Sequence, residues 1–337
     1  MSGELLRIAT FNLESLDDEG LTARIAALRP ALVRLRADIL CLQEVNGQRA
    51  AGGHERRLAA LSALISETGY AGYQMISSQT LDGHPADRHN LVILSRLPIV
   101  GHAQIKHDFV QCPLYRTATA SPRLDHPEPI EWERPLLHAE IGIGVTSIHI
   151  FNLHLRAPLA APVAGQKLGP FSWRTTGGWA EGFFLAAVKR AGQALEARVL
   201  TDQLLDADPN ALVVVAGDLN ADIYEVPLRI LLAEHADVGN AALLSRVLSP
   251  VEEVIPEARR FTLLHHGRRL MLDHLLVSAK LRTYLTYAES LNDNLPDEVD
   301  TAEQCAVGGS FHTPLVAEFA LSLDRVPTRQ PDQSRAT

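Results

Sequence analysis

Cysteine is scarce: Cys41, Cys112 and Cys305 are the three in 337 residues. They are odd in number, far apart and without a Cys-x-x-Cys spacing, which argues against a disulfide framework and a zinc ribbon and fits a reducing cytoplasm. No apolar run is long enough to span a bilayer. The N-terminus lacks a basic region followed by an apolar core and a cleavage site, so the chain reads as soluble and unexported. Positive charge is short as well: 31 Lys and Arg stand against 40 Asp and Glu, a formal net charge of −9. That balance argues against tight, sequence-independent binding to duplex nucleic acid, which is built from many cationic contacts to phosphate. A nuclease that binds briefly stays compatible with it, because a local basic rim can coexist with an acidic whole. Nothing in the sequence points to an obligate protein partner.

What is present is a 46% hydrophobic chain, long enough to bury a large core. It opens with a strand-like run, Leu5-Leu6-Arg7-Ile8-Ala9-Thr10-Phe11, that ends at Asn12. Apolar residues Leu21, Ile25, Leu28, Leu32 and Leu35 then recur at helical spacing behind Asp17, read as an N-cap. A second apolar run, Ile39-Leu40-Cys41-Leu42, ends in Gln43-Glu44. Further strands are expected at 89–95, 136–143, 146–154, 211–216, 269–278 and 314–321, and helices at 55–67 and 182–206. Most of these strands are too apolar to keep a solvated face, so the sheets should be covered on both sides. Residues 111–133, 156–178 and 292–309 read as irregular, the second as a flap beside whatever site the strand at 146–154 serves. One domain is expected over residues 1–323, followed by a tail, 324–337, with too little to bury to be ordered.

The strand ends collect polar residues: Asn12, Glu44, Asn152 with His154, Asp218 with Asn220, Asp273 with His274, and His312. Singly each has a bland explanation as a cap, a turn or a satisfied core residue. Asp273 is the exception, because it lies inside the apolar run 270–277, where a carboxylate is costly unless paired or bound to a metal. Together the set suits phosphoester hydrolysis. Mg²⁺, with Mn²⁺ as substitute, prefers hard oxygen ligands such as Glu44. Asp218 or a histidine is the right type to orient or deprotonate water. Asn12, Asn152 and Asn220 can hold phosphate without repulsive charge, and His312 kept cationic by Asp273 can stabilise the pentacovalent state. Asn152 and His154 lie two residues apart and share a face, whereas His149 points the other way.

In order and context these pieces resemble the endonuclease/exonuclease/phosphatase superfamily, which includes deoxyribonucleases, abasic-site endonucleases, inositol polyphosphate 5-phosphatases and bacterial sphingomyelinases. The matching segments are Ile8-Ala9-Thr10-Phe11-Asn12, Leu40-Cys41-Leu42-Gln43-Glu44-Val45, Asn90-Leu91-Val92-Ile93-Leu94-Ser95-Arg96, Phe151-Asn152-Leu153-His154-Leu155, Ala216-Gly217-Asp218-Leu219-Asn220, Leu272-Asp273-His274-Leu275-Leu276 and Ser310-Phe311-His312-Thr313-Pro314. The resemblance implies an α/β fold, a four-layer α-β-β-α sandwich with two central mixed sheets, and a site where loops of both sheets converge. It also implies roles: Glu44 the principal metal ligand with Asn12 beside it, Asp218 and Asn220 the pair that activates water, His154 a phosphate-contacting or acid residue, and Asp273 with His312 a carboxylate-imidazole pair. The superfamily usually has Asp immediately before the last histidine, where this chain has Phe311. Either a carboxylate from 293–303 substitutes, or one ion is used.

The substrate is expected to be nucleic acid or another phosphodiester, making the chain a nuclease or phosphodiesterase; a phosphatase, a phospholipase and a non-catalytic binder are the alternatives. Ala216 before Gly-Asp and the Leu272-Asp273-His274 run depart from the inositol phosphatase pattern. Arg156, Lys167, Arg174, Lys189 and Arg190 are expected to form a local positive rim, and Phe171, Trp173, Trp179, Phe183 and Phe184 can stack bases, enter lipid or anchor a loop.

Overall fold

Every residue of the first strand from Ile8 to Leu13 is buried, so neither face of it meets water. The alternation decides which core each side chain joins. Ile8 points toward a second sheet and packs with Ile150, Val214 and Leu275, while Ala9, Phe11 and Leu13 point the other way, onto Leu28, Leu32 and Leu64 of helices.

In the computed structural model, which describes residues 5–49, 53, 55–293, 295–299 and 309–321, twelve strands build two sheets. Along the chain they are β1 Leu6–Leu16, β2 Ile39–Val45, β3 Gln74–Ser77, β4 Asn90–Ser95, β5 Ile99–Ile105, β6 Leu136–Ile143, β7 Thr146–His154, β8 Leu212–Asp218, β9 Leu248–Pro250, β10 Asp273–Ser278, β11 Leu285–Ser290 and β12 Leu315–Phe319. One sheet has the order β11-β12-β1-β2-β4-β3 and the other β9-β10-β8-β7-β6-β5. Each is mixed, with one parallel pair at its centre: β1 with β2, and β7 with β8.

Helices α1 Leu21–Leu35 and α2 Ala59–Ile65 cover the first sheet. Helices α3 Thr176–Ala207 and α4 Val226–Leu232 cover the second, through Ala194, Ala197, Leu200, Leu228 and Leu231. The result is the expected four-layer α-β-β-α sandwich. Among the described residues no helix is long and apolar enough to cross a membrane.

Some boundaries differ from the sequence expectation. Helix α1 starts behind Gly20 in the left-handed region with no side-chain cap. Asp17 instead accepts hydrogen bonds from the amides of Asn46 and Gln48. Helix α3 begins six residues before 182, because Thr175 caps it by accepting the Gly178 N–H at 2.9 Å. The run 269–278 is divided: Arg268–Leu270 pairs with Leu263–His265 in a separate ladder, and β10 starts at Asp273. The expected disorder of 324–337, Cys305, and Asp300 and Glu303 of the acidic segment 293–303 lie outside the described residues.

Candidate active site

Strand register assembles the site. In the second sheet His154 of β7 pairs with Asp218 of β8, and Asp218 pairs with Asp273 of β10, so three polar side chains stand in a row across adjacent strand ends. In the first, Asn12 of β1 pairs with Gln43 of β2, one residue before Glu44. The close approach of β7 and β8 depends on Gly217, whose φ is +140° and where a Cβ would sit 1.8 Å from the Leu153 carbonyl oxygen. Five non-glycine residues at this end have left-handed backbone: Glu14 (φ 50°), Ser15 (53°), Glu44 (57°), His89 (60°) and Asn220 (48°). Each such conformation costs on the order of 1 kcal/mol, and clusters of them are typical of sites held by the surrounding fold.

The side chains meet across the two sheets. Asn12 Nδ2 donates to Asp218 Oδ2 at 2.9 Å and lies 3.5 Å from Glu44 Oε1. Asn220 Nδ2 donates to the same Asp218 oxygen at 3.1 Å, and its backbone N–H to the other oxygen at 2.9 Å. His154 Nε2 lies 3.6 Å from Glu44 Oε1 and 3.4 Å from Asp218 Oδ2. His312 Nδ1 is 2.7 Å from Asp273 Oδ2, and its Nε2 is 3.8 Å from Asp218 Oδ2. The loop carrying His312 is pinned to β1 by Ser310 Oγ, which donates to the Asn12 carbonyl at 2.8 Å.

Burial and charge divide the protonation states. Burial pushes Asp218 up to about 6, against the pull of the His312 charge. For His312 burial is outweighed by the carboxylates of Asp273 and Asp218, which raise it to about 10. His154 is held well below its ordinary value by burial and by the charges of Arg134, His89 and His312. One imidazole is therefore a cation and the other a neutral donor, a few ångströms apart, with a carboxylate poised near neutrality between them.

Two clusters of carboxylate and imidazole could hold a cation by proximity: Glu44 with His89 and His154, and Asp218 with Asp273 and His312. Hydrogen bonding separates them. His312 is a cation and offers no lone pair, and His89 Nδ1 accepts from Arg134 Nη2 at 2.7 Å, which leaves the proton on Nε2. Glu44 is different: Ser15 holds its Oε2 through N–H at 3.0 Å and Oγ at 3.1 Å, which leaves Oε1 facing the cleft. A single well-oriented carboxylate oxygen is a hard ligand, which suits a hard divalent ion and not a thiolate-seeking one.

A family model described as Endonuclease/Exonuclease/phosphatase family matches residues 9–293. The chain belongs to the endonuclease/exonuclease/phosphatase family. No curated protein matches it in sequence. Among solved structures it is similar to truncated TDP2 of Caenorhabditis elegans, with 18% identity over 94% of this chain and 97% of that chain and a TM-score of 0.54. It is also similar to TDP2 of D. rerio complexed with single strand DNA product, with 16% identity over 94% and 100% and a TM-score of 0.54. A family protein from Bacteroides thetaiotaomicron matches at 15% identity over 94% of both chains and a TM-score of 0.56. At these identities the likeness is one of fold.

Within the family frame, the structure brings Asn12, Glu44, His154, Asp218, Asn220, Asp273 and His312 together and sets Asn152 apart. Asn152 has no exposed surface. Its Nδ2 donates to the carbonyls of Leu42 (3.0 Å) and Val92 (2.9 Å) in the other sheet, and its Oδ1 accepts from Gln43 Nε2 at 2.7 Å. Both amide hydrogens are spent on joining the sheets, so Asn152 has no donor left for phosphate. The expected positive rim is also largely neutralised: Arg156 and Lys189 share Glu133 at 2.7 and 2.8 Å, and Arg190 faces Glu225 at 3.7 Å. The 156–178 segment is anchored through Ala161 and Val163, packed with Ile130, Leu185 and Ala186, while Phe171 at its tip is 92% exposed.

Four residues at the site escaped the sequence reading. Glu14 accepts the Phe311 N–H at 2.7 Å. Burial raises its pKa against the charges of His312 and Arg24, so the carboxylate beside the departure at 311 is Glu14. Asp293, at the head of the acidic segment, pairs instead with Arg259 at 2.6 Å and Arg34 at 2.9 Å. Ser15, His89 and Arg134 complete the set. Alternation carries no signal for any of them, since all but Arg134 sit on left-handed backbone and Arg134 follows an irregular stretch.

Proposed function

We propose that the chain is a divalent-metal-dependent phosphodiester hydrolase that uses Mg²⁺, with Mn²⁺ able to replace it, and that water attacks phosphorus in line. The carrying observation is the convergence of Glu44, Asp218 and His312 from opposite sheets on one cleft, with Asp218 raised to about 6 and His312 to about 10 by their surroundings. Family membership supports the same class of chemistry. Glu44 would hold the ion, with Asn12 beside it; when bound, the ion supplies charge neutralisation for the phosphate and the leaving group.

The chain's own groups divide the remaining work. Asp218, fixed by Asn12 and by both the side chain and backbone of Asn220, orients the attacking water and takes its proton. Neutral His154 donates through Nε2 to a phosphate oxygen. Cationic His312 faces the charge that grows in the transition state, and Asp273 positions its ring. A nucleic-acid strand is a second reading, favoured by the D. rerio TDP2 structure with single strand DNA product and weakened by the ion-paired rim. A phosphomonoester or phospholipid substrate is the remaining alternative.

Incubation of bis-p-nitrophenyl phosphate, plasmid, single-stranded DNA, RNA and lysophospholipid with Mg²⁺, Mn²⁺ or EDTA tests the reading. Hydrolysis of the generic diester with either metal and none in EDTA is expected. Full activity in chelator would contradict it.

A further inference from the structure

The N-terminal half of α3, with α4, the loop before it and Pro158, lines an open cavity of about 490 Å³. This falls within the size of ordinary small-molecule sites, about 300–1,000 Å³. Its wall is made by Pro158, Phe184, Ala187, Ala191, Tyr224 and Val226. Among the described residues, the charged ones lining it are Arg190 and Glu225, 3.7 Å apart and facing each other. Phe184, Tyr224 and Val226 are 46%, 86% and 61% exposed, which is apolar surface left open to water.

The cavity adjoins the reaction centre. Arg190 Nη2 donates to the Asn220 carbonyl at 2.8 Å, and Arg190 feels the charge of Asp218. Pro158 follows His154 by four residues and Tyr224 follows Asn220 by four, so both sides of the cavity hang from the strand ends that carry the catalytic groups. The contact between the cavity and the cleft is the Arg190–Asn220 hydrogen bond, which joins a lining side chain to the backbone of a residue that holds Asp218.

From this geometry we infer that the cavity is a substrate subsite for an unbranched hydrocarbon chain carried by the phosphodiester, an inference that rests on the hydrolytic reading above. The lining favours a chain over a nucleobase for two reasons. Of the neighbouring rings, Phe183 stacks on Trp179 at 5.5 Å and Phe184 leans on Tyr115 at 5.3 Å, which leaves Tyr224 as a single open ring without a facing partner to sandwich a base. Base edges would also find no free charged group, because Arg190 is engaged by Asn220 and Glu225. A second cavity, of about 300 Å³, opens at His89 and Arg134, with the polar side chains of Ser78, Gln79, Thr80 and Arg88 in its lining. A phosphodiester with one polar and one hydrocarbon substituent matches both.

The test is a series of p-nitrophenyl phosphodiesters whose second ester is methyl, butyl or octyl, assayed with Mn²⁺ below their aggregation concentrations. Burying methylenes should raise kcat/KM at least about tenfold from methyl to octyl. In Ala187→Glu, a change on the exposed face of α3, the octyl-to-methyl ratio should fall to within about twofold of one, with an unchanged melting curve, and Tyr224→Ala should lower it partway. Equal rates along the series, or faster turnover of thymidine p-nitrophenyl phosphate than of the octyl ester, would overturn the inference while leaving phosphodiester hydrolysis standing. If no ester is hydrolysed, the hydrolytic reading fails. Calorimetric titration with n-octyl phosphate then decides the subsite alone: binding that is lost in Ala187→Glu supports it, and binding that is absent or unaffected by that change overturns it.

Discussion

Asp273 Oδ2 lies 2.7 Å from His312 Nδ1, joining the start of β10 to the loop before β12, and Asp273 has no exposed surface. With Asp218 also facing the ring, the pair keeps His312 cationic up to about pH 10. Because His312 is raised, whatever depends on its charge is present at neutral pH and is lost only as pH rises through that value. Asp273→Asn removes the larger of the two attractions, so the alkaline limb of the rate profile should move down toward the ordinary histidine range. His312→Ala should lower kcat by about a hundredfold or more. An alkaline limb that does not move in Asp273→Asn would show that His312 does not act as a cation.

Asn152 supplies a test of structure against substrate contact. Asn152→Ala leaves the Leu42 and Val92 carbonyls and the Gln43 amide without that partner between the sheets. Stability should fall by about 2–4 kcal/mol, while KM for a small diester stays within about twofold. A large KM increase with an unchanged melting curve would restore Asn152 to phosphate binding.

Glu14 beside Phe311 makes a prediction about the metal. Glu14 shares the cleft with Glu44 and His312, so Glu14→Gln should raise the Mn²⁺ dissociation constant, read by calorimetry, by about three- to tenfold through lost attraction. Phe311→Asp adds a charge at the same place and should lower it. Identical titrations of all three proteins would mean that residues 14 and 311 lie outside the reach of the ion.

Away from the cleft, His138 on β6 is pushed down to about 4 by burial and by neighbouring His149, whose Nδ1 lies 3.1 Å from His138 Nε2. Between the ordinary value of 6.5 and about 4 the unfolded chain takes up a proton that the folded chain resists. Stability therefore falls as pH drops through that window. His138→Gln should make the melting temperature less sensitive to pH between 6.5 and 4, and equal slopes would contradict this.

Most of the central sheets was legible in the sequence because their strands are covered on both faces and appear as apolar runs; β6 and β7 fall where those runs do. Asn12, Glu44, Asp218 and Asp273 were legible because each ends or interrupts such a run. Glu14 and Ser15 were not, since left-handed backbone turns their side chains back toward the cleft. Asn152 was misjudged because its partners, the Leu42 and Val92 carbonyls, belong to the other sheet. Parity told correctly which way Asn152 faces but not how deep it sits. The start of α3 was hidden by Gly177 and Gly178, weak helix formers made tolerable by the Thr175 cap.

The most direct measurement is the rate of Mn²⁺-supported bis-p-nitrophenyl phosphate hydrolysis by Glu44→Gln and Asp218→Asn, with the melting curve of each taken in parallel. Each substitution removes a charge that acts chiefly on the transition state, so turnover should fall by at least about a hundredfold with the fold retained. Near-normal rates from either correctly folded variant would place the chemistry elsewhere on the molecule.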